Sequence, residues 1–363
     1  SYNLLNYPGS DAAIRNPYFR KVIHTMKPDV LIVGEMTSQT GVNTFLNEVM
    51  NKYQPGLYTT IPFHDGPDTD SEIFFRADKV SIISANYIPT ALRDIAEYTI
   101  RHKNSNEIFK IYSLHLKAST GFEAERLAEV TILRNYLNGL PAGTNFIIGG
   151  DYNIYTSTEP AFQKLIGSEA DNDGRCFDPL NAVGTWNNNS TFRFIHTQST
   201  RVRAFNGGAT GGMDDRFDIL LRSESLADNI IVSSYTAYGN DGNHFNDSIN
   251  RLPNSAVPDS VANAIHYAAD HIPVFVRFVF PQLLPFDLAT PSNGATSESV
   301  SGMLTWQPST GASGYDVYLG TTNPPTNLVS TNQPGTSYSY SGLTNNLTYY
   351  WKVVSKNTNS TRD

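Results

Sequence analysis

Polar residues able to bind a phosphate ester follow a short apolar run in residues 146–155 (FIIGGDYNIY). The apolar run predicts a buried strand, and its two glycines allow a turn that no bulky side chain could follow. Asp151 supplies a carboxylate for a metal ion or a water proton, and Asn153 supplies a neutral N–H donor for anionic oxygens. The same residues also fit an ordinary Asx turn, so this stretch alone leaves both interpretations open.

The pattern of an apolar run with a polar residue at its end recurs along the chain. Residues 29–35 (DVLIVGE) end on a carboxylate, and residues 269–280 open with an adjacent Asp-His pair. Because strand ends commonly present polar groups to a ligand, we expect these side chains to share one site. The full set is Asn3, Glu35, His115, Asp151 with Asn153, Asp218, and Asp270 with His271.

The residue types in this set are those needed to hydrolyse a phosphate ester. Glu35 and Asp270 supply hard oxygen ligands for Mg²⁺, which typically binds one or two carboxylates and keeps its waters. His271 can transfer a proton or stabilise phosphoryl oxygens, and Asp218 can fix its tautomer. Asp151 can hold or deprotonate the attacking water. Zinc is disfavoured, because the set contains no cluster of Cys and His residues.

The composition limits the classes of protein to which the 363-residue chain can belong. With 39% hydrophobic residues and a net charge of −8, it can bury a sizeable core but lacks the positive charge of a general polyanion binder. A nuclease is not excluded, since bound divalent cations reverse the local sign of charge. The single cysteine, Cys176, excludes a disulfide framework and a Cys-rich zinc site.

Strand and helix patterns alternate through the first part of the chain, which predicts helices covering a sheet. Helices are predicted at residues 17–26, near residues 45–50, and at residues 123–137. The long polar stretches 171–212 and 240–258 are predicted to form a rim that faces the substrate. Strands are predicted at residues 29–35, 72–84, 98–100, 108–117, 146–151, 215–221 and 269–280.

The composition changes after a segment that contains three prolines, residues 281–291. Beyond it, short alternating strands separated by turn residues predict an all-β sandwich. We therefore predict a catalytic domain at residues 1–281, a linker at 282–290 and a second domain at 291–363. The chain starts at Ser1 within an apparent strand, so we expect a processed product whose signal peptide has been removed.

The N-terminal domain resembles the endonuclease/exonuclease/phosphatase superfamily, which includes deoxyribonuclease I, apurinic endonucleases, inositol polyphosphate phosphatases and bacterial sphingomyelinases. The resemblance implies an α/β fold, a four-layer α/β/β/α sandwich with the site at one edge of its two sheets. The matching stretches are Tyr2-Asn3, Val33-Gly-Glu35, Leu114-His-Leu116, Gly149-Gly-Asp-Tyr-Asn153, Arg216-Phe-Asp218 and Ala269-Asp-His-Ile-Pro-Val274.

This resemblance also implies which residues bind metal and phosphate. Asn3, Glu35 and Asp270 would lie at a Mg²⁺ ion, with Mn²⁺ or Ca²⁺ as alternative ions. Asn153 would bind the phosphate or help to place the water. Some family members carry an Asp where this chain has Leu5, so a second metal site of that type is in doubt.

The resemblance assigns the acid–base chemistry to a second group of residues. His271 would be the catalytic histidine, paired with Asp218. Asp215 stands nearby and could compete for that pairing, but the Arg-Phe-Asp register favours Asp218. His115 would contact the scissile phosphate, and Asp151 would orient the nucleophilic water.

The C-terminal domain resembles a fibronectin type III module. Leu343 and Tyr349 match the tyrosine corner of that fold, and Trp306 would be its core tryptophan. Residues 357–363 are too polar to predict a seventh strand, so the sandwich is expected to lack its last strand. Because such modules are common in secreted bacterial hydrolases, the resemblance implies an extracellular bacterial protein whose module binds a surface or polysaccharide.

Three hypotheses for the function follow. The leading one is a secreted, divalent-metal-dependent nuclease that acts on DNA as a monomer without a stable protein partner. The second is a phosphatase or a phospholipase-C-type, sphingomyelinase-like hydrolase. The third is a non-catalytic surface adhesion protein, which would not need the intact acidic residues and His271. In the first case, arginines of the polar stretches would meet flanking phosphates: Arg175, Arg193, Arg201, Arg203 and Arg251.

Overall fold

The computed structural model describes residues 1–357 and 361–362. The segment His102–Ile108, inside the predicted first domain, groups with the C-terminal residues rather than with its sequence neighbours. Among the described residues, no helix is both long and apolar enough to cross a lipid bilayer. The chain divides into unit 1, Ser1–Arg101 with Phe109–Val279, and unit 2, His102–Ile108 with Phe280–Asp363.

The strands of unit 1 are β1 (Tyr2–Tyr7), β2 (Val30–Met36), β3 (Tyr58–Thr60), β4 (Asp70–Arg76), β5 (Val80–Ile88), β6 (Ile95–His102), β7 (Ile108–His115), β8 (Phe146–Asp151), β9 (Asp218–Arg222), β10 (Ile230–Ala237) and β11 (Val274–Phe278). One sheet has the order β1-β2-β4-β3 and another the order β5-β6-β7-β8-β9, while β10 pairs with β11. Because β1 runs parallel to β2 and β7 parallel to β8, the carboxyl ends of each pair meet at one edge.

The helices are α1 (Ala12–Met26), α2 (Gln39–Phe45) with a π-helical turn (Leu46–Met50), α3 (Glu123–Asn138), α4 (Pro160–Ile166) and α5 (Asp259–Ala268). Phe19 of α1 and Ile265 of α5 share a buried cluster with β1 and β2, whereas Phe162 of α4 lies in a second cluster with β7 and β8. β1 and β2 contact β8. A Cβ atom on Gly149 would lie 2.8 Å from Ile32 Cδ1, so glycine permits the close approach of these strands.

The strand register places three predicted site residues in one row. His115 pairs with Asp151, and Asp151 pairs with Asp218. Gly150, which precedes Asp151 and pairs with Leu114 of β7, has φ 146°. A Cβ atom at Gly150 would lie 1.9 Å from the Leu114 carbonyl oxygen. Only glycine is compatible with this approach, which brings β7 against the end of β8.

Several predicted boundaries differ from the observed ones. α1 begins at Ala12, before Pro17, because the Asp11 carbonyl already accepts hydrogen bonds from the first helical turn. The predicted strand 72–84 is two strands, since a turn closes where Lys79 N–H donates to the Arg76 carbonyl. The predicted strand 269–280 begins only at Val274. β10 and α5 are elements that the sequence patterns did not predict.

Unit 2 contains β12 (Leu288–Thr290), β13 (Gly302–Trp306), β14 (Gly314–Gly320), β15 (Leu328–Gln333), β16 (Ser337–Tyr340), β17 (Tyr350–Lys356) and β18 (Thr361–Arg362). Its sheets have the orders β12-β13-β16 and β15-β14-β17-β18. β12 lies inside the predicted linker 282–290, because its residues pair with Thr305 and Trp306. β18 lies in the segment predicted to lack a strand, although residues 358–360 and 363 are outside the described residues.

Candidate active site

A buried histidine and a buried carboxylate form the first part of the site. His271 Nδ1 lies 2.7 Å from Asp218 Oδ2. The N–H of Asp218 donates to the hydroxyl of Thr197 at 3.0 Å, which fixes the start of β9. Burial opposes the charge on His271, but the carboxylates of Asp218 and Asp151 raise its pKa well above the usual value. The two carboxylates therefore favour the protonated form of the ring, against the effect of burial.

Asp151 lies at the centre of the predicted set. Its Oδ2 atom is 3.2 Å from Asn3 Nδ2, 3.5 Å from His271 Nε2 and 3.6 Å from His115 Nε2. Burial raises the pKa of Asp151 to about 7; the positive charge of His271 acts in the opposite direction, and Asp218 adds to the increase. A carboxylate with a pKa near neutrality is suited to accept a proton from water.

His115 lies on the other side of Asp151. Burial lowers the pKa of His115 well below its usual value, and Arg93 and His271 lower it further. The environment of His115 therefore favours the neutral form, whereas the carboxylates around His271 favour the charged form. Its Nδ1 atom is buried and has no hydrogen-bond partner among the described residues. An unpaired buried nitrogen of this kind is available to a ligand.

Asn153 and Glu35 occupy unusual backbone conformations. Asn153 has φ 51°, and its backbone N–H donates to Asp151 Oδ1 at 3.0 Å. Its side-chain amide donates to the Leu116 carbonyl at 3.1 Å, so one N–H that was expected to meet phosphate is already bound to the protein. Glu35 has φ 60°. Such strain at a non-glycine residue is typical of functional sites and persists only where neighbours hold it.

The contacts of Glu35 explain how its strained conformation is held. Its Oε1 atom accepts from Asn3 Nδ2 at 2.8 Å, and its Oε2 atom accepts from the Asn6 N–H at 2.8 Å. The Nδ1 atom of His115 lies 3.9 Å from Oε1. Two of the three predicted metal ligands, Asn3 and Glu35, are therefore in direct contact.

Asp270, the third predicted metal ligand, is held from another direction. Its Oδ2 atom accepts from the Ala209 N–H at 2.6 Å, while its buried Oδ1 atom has no partner among the described residues. A Cβ atom on Gly208 would lie 2.8 Å from the Asp270 carboxyl carbon and 2.9 Å from Leu5 Cδ2. The Asp270 carboxyl group is thus near the end of β1, and one of its oxygens is unsatisfied.

The oxygen ligands of this site fit a hydrated Mg²⁺ ion better than a fully protein-bound ion. No group of three or more His, Cys, Asp or Glu residues in the described part of the chain has the geometry of a metal site. Mg²⁺ does not need one, because it keeps several waters and binds one or two carboxylates. Glu35, with the unsatisfied oxygen of Asp270, would hold the ion, and Asn3 would orient Glu35.

Two residues at the site were not among the sequence predictions. The amide nitrogen of Gln198 lies 2.6 Å from His271 Nε2, and the hydroxyl of Thr197 accepts from the N–H groups of Phe217 and Asp218. Both lie in the polar stretch 171–212, where no hydrophobic period marks individual positions. Asp215 does not pair with the histidine; its Oδ1 atom accepts from Asn187 at 2.8 Å.

The arginines expected to meet flanking phosphates fall into two groups. Arg201 is fully buried, so the prediction for it is wrong, whereas Arg175 is half-buried and its Nε donates to the Ile166 carbonyl at 2.7 Å. The polar stretch folds inward at Arg201. The Arg201 carbonyl accepts from the Gly212 N–H, and the Arg201 guanidinium donates to the His266 carbonyl. Arg193, Arg203 and Arg251 are exposed.

Comparisons with known proteins agree with this architecture. The sequence matches no protein-family model, and no curated protein matches it.

The human Nocturnin catalytic domain with bound sulfate is 17% identical over 76% of this chain and 92% of its own, with a TM-score of 0.50. Truncated Caenorhabditis elegans TDP2 is 16% identical over 77% of this chain and 95% of its own, also with a TM-score of 0.50. An endonuclease/exonuclease/phosphatase family protein from Bacteroides thetaiotaomicron is 17% identical over 76% and 95%, at a TM-score of 0.47. At the level of the mixed α/β fold, this chain is similar to Nocturnin and TDP2.

Proposed function

We propose that unit 1 is a divalent-metal-dependent phosphoric ester hydrolase. The observation that carries the proposal is the convergence of Asn3, His115 and His271 on one oxygen of Asp151, with His271 backed by Asp218. A structural polar cluster would not need two imidazoles and an amide directed at one buried carboxylate oxygen. Hydrolysis of a phosphate ester uses groups of these types.

Each residue has a role that follows from its environment. Asp151 orients the attacking water and accepts its proton. The His271 imidazolium faces the phosphoryl group through Nε2 and offsets its developing negative charge. Neutral His115 donates a hydrogen bond to the same group. A Mg²⁺ ion bound at Glu35 would supply further positive charge against the phosphate oxygens.

We further propose that the substrate is a phosphodiester and that DNA is the preferred natural one. Arg193 and Arg203 are exposed and lie five residues on either side of Gln198, whose amide reaches His271, so they are our candidates for contacts with flanking phosphates. Phe194, 56% exposed beside the Arg193 guanidinium, offers a surface on which a base can stack. Binding would weaken as salt concentration rises, because each neutralised phosphate releases counterions.

A hydrolysis panel tests both parts of the proposal. Rates would be measured with Mg²⁺, Mn²⁺ or Ca²⁺ on plasmid DNA, RNA, bis-p-nitrophenyl phosphate, p-nitrophenyl phosphate and sphingomyelin. We expect diesters to be cleaved faster than monoesters, with DNA the best substrate. Faster turnover of a monoester or of sphingomyelin would replace the nuclease with the phosphatase or phospholipase-C-type alternative. Absence of turnover on the whole panel would favour a non-catalytic protein.

We also propose that unit 2 is a fibronectin type III-like module of a secreted protein. Three features support the fibronectin-like assignment. Unit 2 contains two β-sheets, with the orders β12-β13-β16 and β15-β14-β17-β18. The buried Trp306 packs edge-on against Tyr315, and the Thr344 N–H donates to the Tyr349 hydroxyl at 3.1 Å. The last contact is the one expected of a tyrosine corner. The test compares the binding of the full protein to insoluble polysaccharides with the binding of a fragment of residues 1–279. Stronger binding by the full protein would show that the module supplies a surface contact.

A further inference from the structure

Residues 197–200 connect the two segments that carry the Asp218–His271 pair. The N–H of Thr197 donates to the Asp215 carbonyl at 2.6 Å, and the Thr197 carbonyl accepts from the Ile272 N–H at 2.9 Å. The N–H of Thr200 donates to the Asp270 carbonyl at 3.0 Å. This connecting segment is therefore bonded on one side to the residues before β9 and on the other to those before β11.

The side chain of Gln198 extends from this segment to the catalytic ring. Its amide nitrogen lies 2.6 Å from His271 Nε2, so in this orientation the Gln198 N–H donates to an unprotonated Nε2. The other ring nitrogen, Nδ1, is already bonded to Asp218. Both polar atoms of the imidazole are therefore engaged by neighbouring side chains, which fixes the ring plane as well as its position. A carboxamide is suited to this place, because it can present its oxygen to a charged ring or its N–H to a neutral one.

From this geometry we infer that Gln198 is a positioning residue for His271, and the inference rests on the proposed hydrolase function. Because Gln198 holds Nε2, the imidazole cannot rotate about its Cβ–Cγ bond. The Nδ1 atom therefore stays hydrogen-bonded to Asp218. The same contact keeps Nε2 directed toward the side of the site where Asp151 lies, 3.5 Å away. An incoming phosphoryl oxygen that takes the place of the Gln198 amide at Nε2 would then meet a ring that is already oriented. Pre-orientation lowers the barrier without changing affinity for the ground state.

The test uses Gln198→Met, which keeps the length of the side chain but removes both hydrogen-bonding atoms. Gln163→Met is the matched control, because the Gln163 amide donates to the Ser157 carbonyl, also at 2.6 Å, away from the site. With bis-p-nitrophenyl phosphate and Mg²⁺, Gln198→Met should lower kcat roughly tenfold while KM stays within about a factor of two. Gln163→Met should leave both constants unchanged.

A second readout does not depend on activity. In the metal-free protein, the proton of the His271 Nδ1–Asp218 hydrogen bond should give a far-downfield NMR signal, identified by its loss in Asp218→Asn. We expect this signal to broaden or move in Gln198→Met and to stay in Gln163→Met. If Gln198→Met does not fold, Gln198→Asn, which is too short to reach the ring, replaces it.

The outcomes separate the inference from the proposed function. A fall in kcat at constant KM, together with a disturbed Nδ1 proton, supports positioning by Gln198. A rise in KM at constant kcat would mean that Gln198 binds substrate instead, and an unchanged signal with unchanged constants would also overturn the inference. If the wild-type protein hydrolyses nothing but the signal still responds to Gln198→Met, ring positioning stands and the hydrolase proposal fails.

Discussion

Replacing Asp218 by Asn tests the proposed chemistry with a very small change in shape. The Asp218 carboxylate accepts from His271 Nδ1 at 2.7 Å, and both side chains are buried. A hydrogen bond to a charged group contributes about 1.5–3 kcal/mol, so losing it in the transition state should lower kcat by about 10- to 150-fold. The variant also lacks a carboxylate that raises the pKa of His271, so less of the ring is protonated at neutral pH.

Asp215→Asn is the matched control for this experiment. Asp215 lies on the same segment, but its carboxylate accepts from Asn187 rather than from the histidine. We expect hydrolysis of bis-p-nitrophenyl phosphate at pH 7 to stay within about threefold of wild type in Asp215→Asn. Thermal denaturation would establish that both variants are folded. Equal losses in the two variants, or near-wild-type kcat in Asp218→Asn, would refute the assigned pairing.

Three further predictions concern stability and metal binding. Burial raises the pKa of Glu72 from 4.5 to about 7, so the folded state favours the protonated carboxyl group. The stability that this protonation provides is complete below pH 4.5 and is lost as the pH rises through 7. Glu72→Gln should therefore increase the free energy of unfolding, measured in urea, by up to about 3 kcal/mol at pH 8 and by little at pH 4. A difference between variant and wild type that does not change with pH would contradict the raised pKa of Glu72. Gly150→Ala should prevent folding or strongly lower the thermal midpoint, whereas Gly143→Ala, also at positive φ but with no atom within 4 Å of the added Cβ, should cost much less. Glu35→Gln should abolish the heat of Mg²⁺ binding measured by calorimetry in the absence of substrate; unchanged binding would place the ion elsewhere.

Much of the candidate site could be predicted from the sequence because strand ends carry it. His115, Asp151 and Asp218 each close or open an apolar run, and parallel or antiparallel pairing then sets them side by side in one row. Periodicity identifies such runs well, since a buried strand needs a continuous set of apolar side chains. The helix α3 was predicted almost to its ends for a similar reason, since its apolar positions recur on one face.

Long-range contacts in polar segments could not be predicted in this way. Gln198 and Thr197 lie in a stretch whose residues show no period, and their partners are far away in the sequence. Arg201 lies in the same stretch and is fully buried, although its composition predicted an exposed side chain. The helix α5 follows a polar loop and was likewise missed. For Gln198, Thr197 and Arg201, tertiary hydrogen bonding rather than local propensity decides the position of the residue. The helix α5 instead buries an apolar face that includes Val261 and Ile265, a period that the sequence does carry.

Three departures from local rules lie where the chemistry is proposed, and positive φ also occurs elsewhere in the chain, as at Lys27 and Asp68. Glu35 and Asn153 adopt φ values of 60° and 51°, and Gly150 adopts 146°. Asn and Gly tolerate positive φ, but Glu does not, so the conformation of Glu35 must be held by its bonds to Asn3 and to the Asn6 N–H. In the observed conformation the Glu35 carboxylate of β2 accepts from the Asn3 amide of β1, and the same amide also donates to Asp151 of β8. Strain retained at one point and supported by several hydrogen bonds is what a preorganised phosphate-hydrolysing site requires.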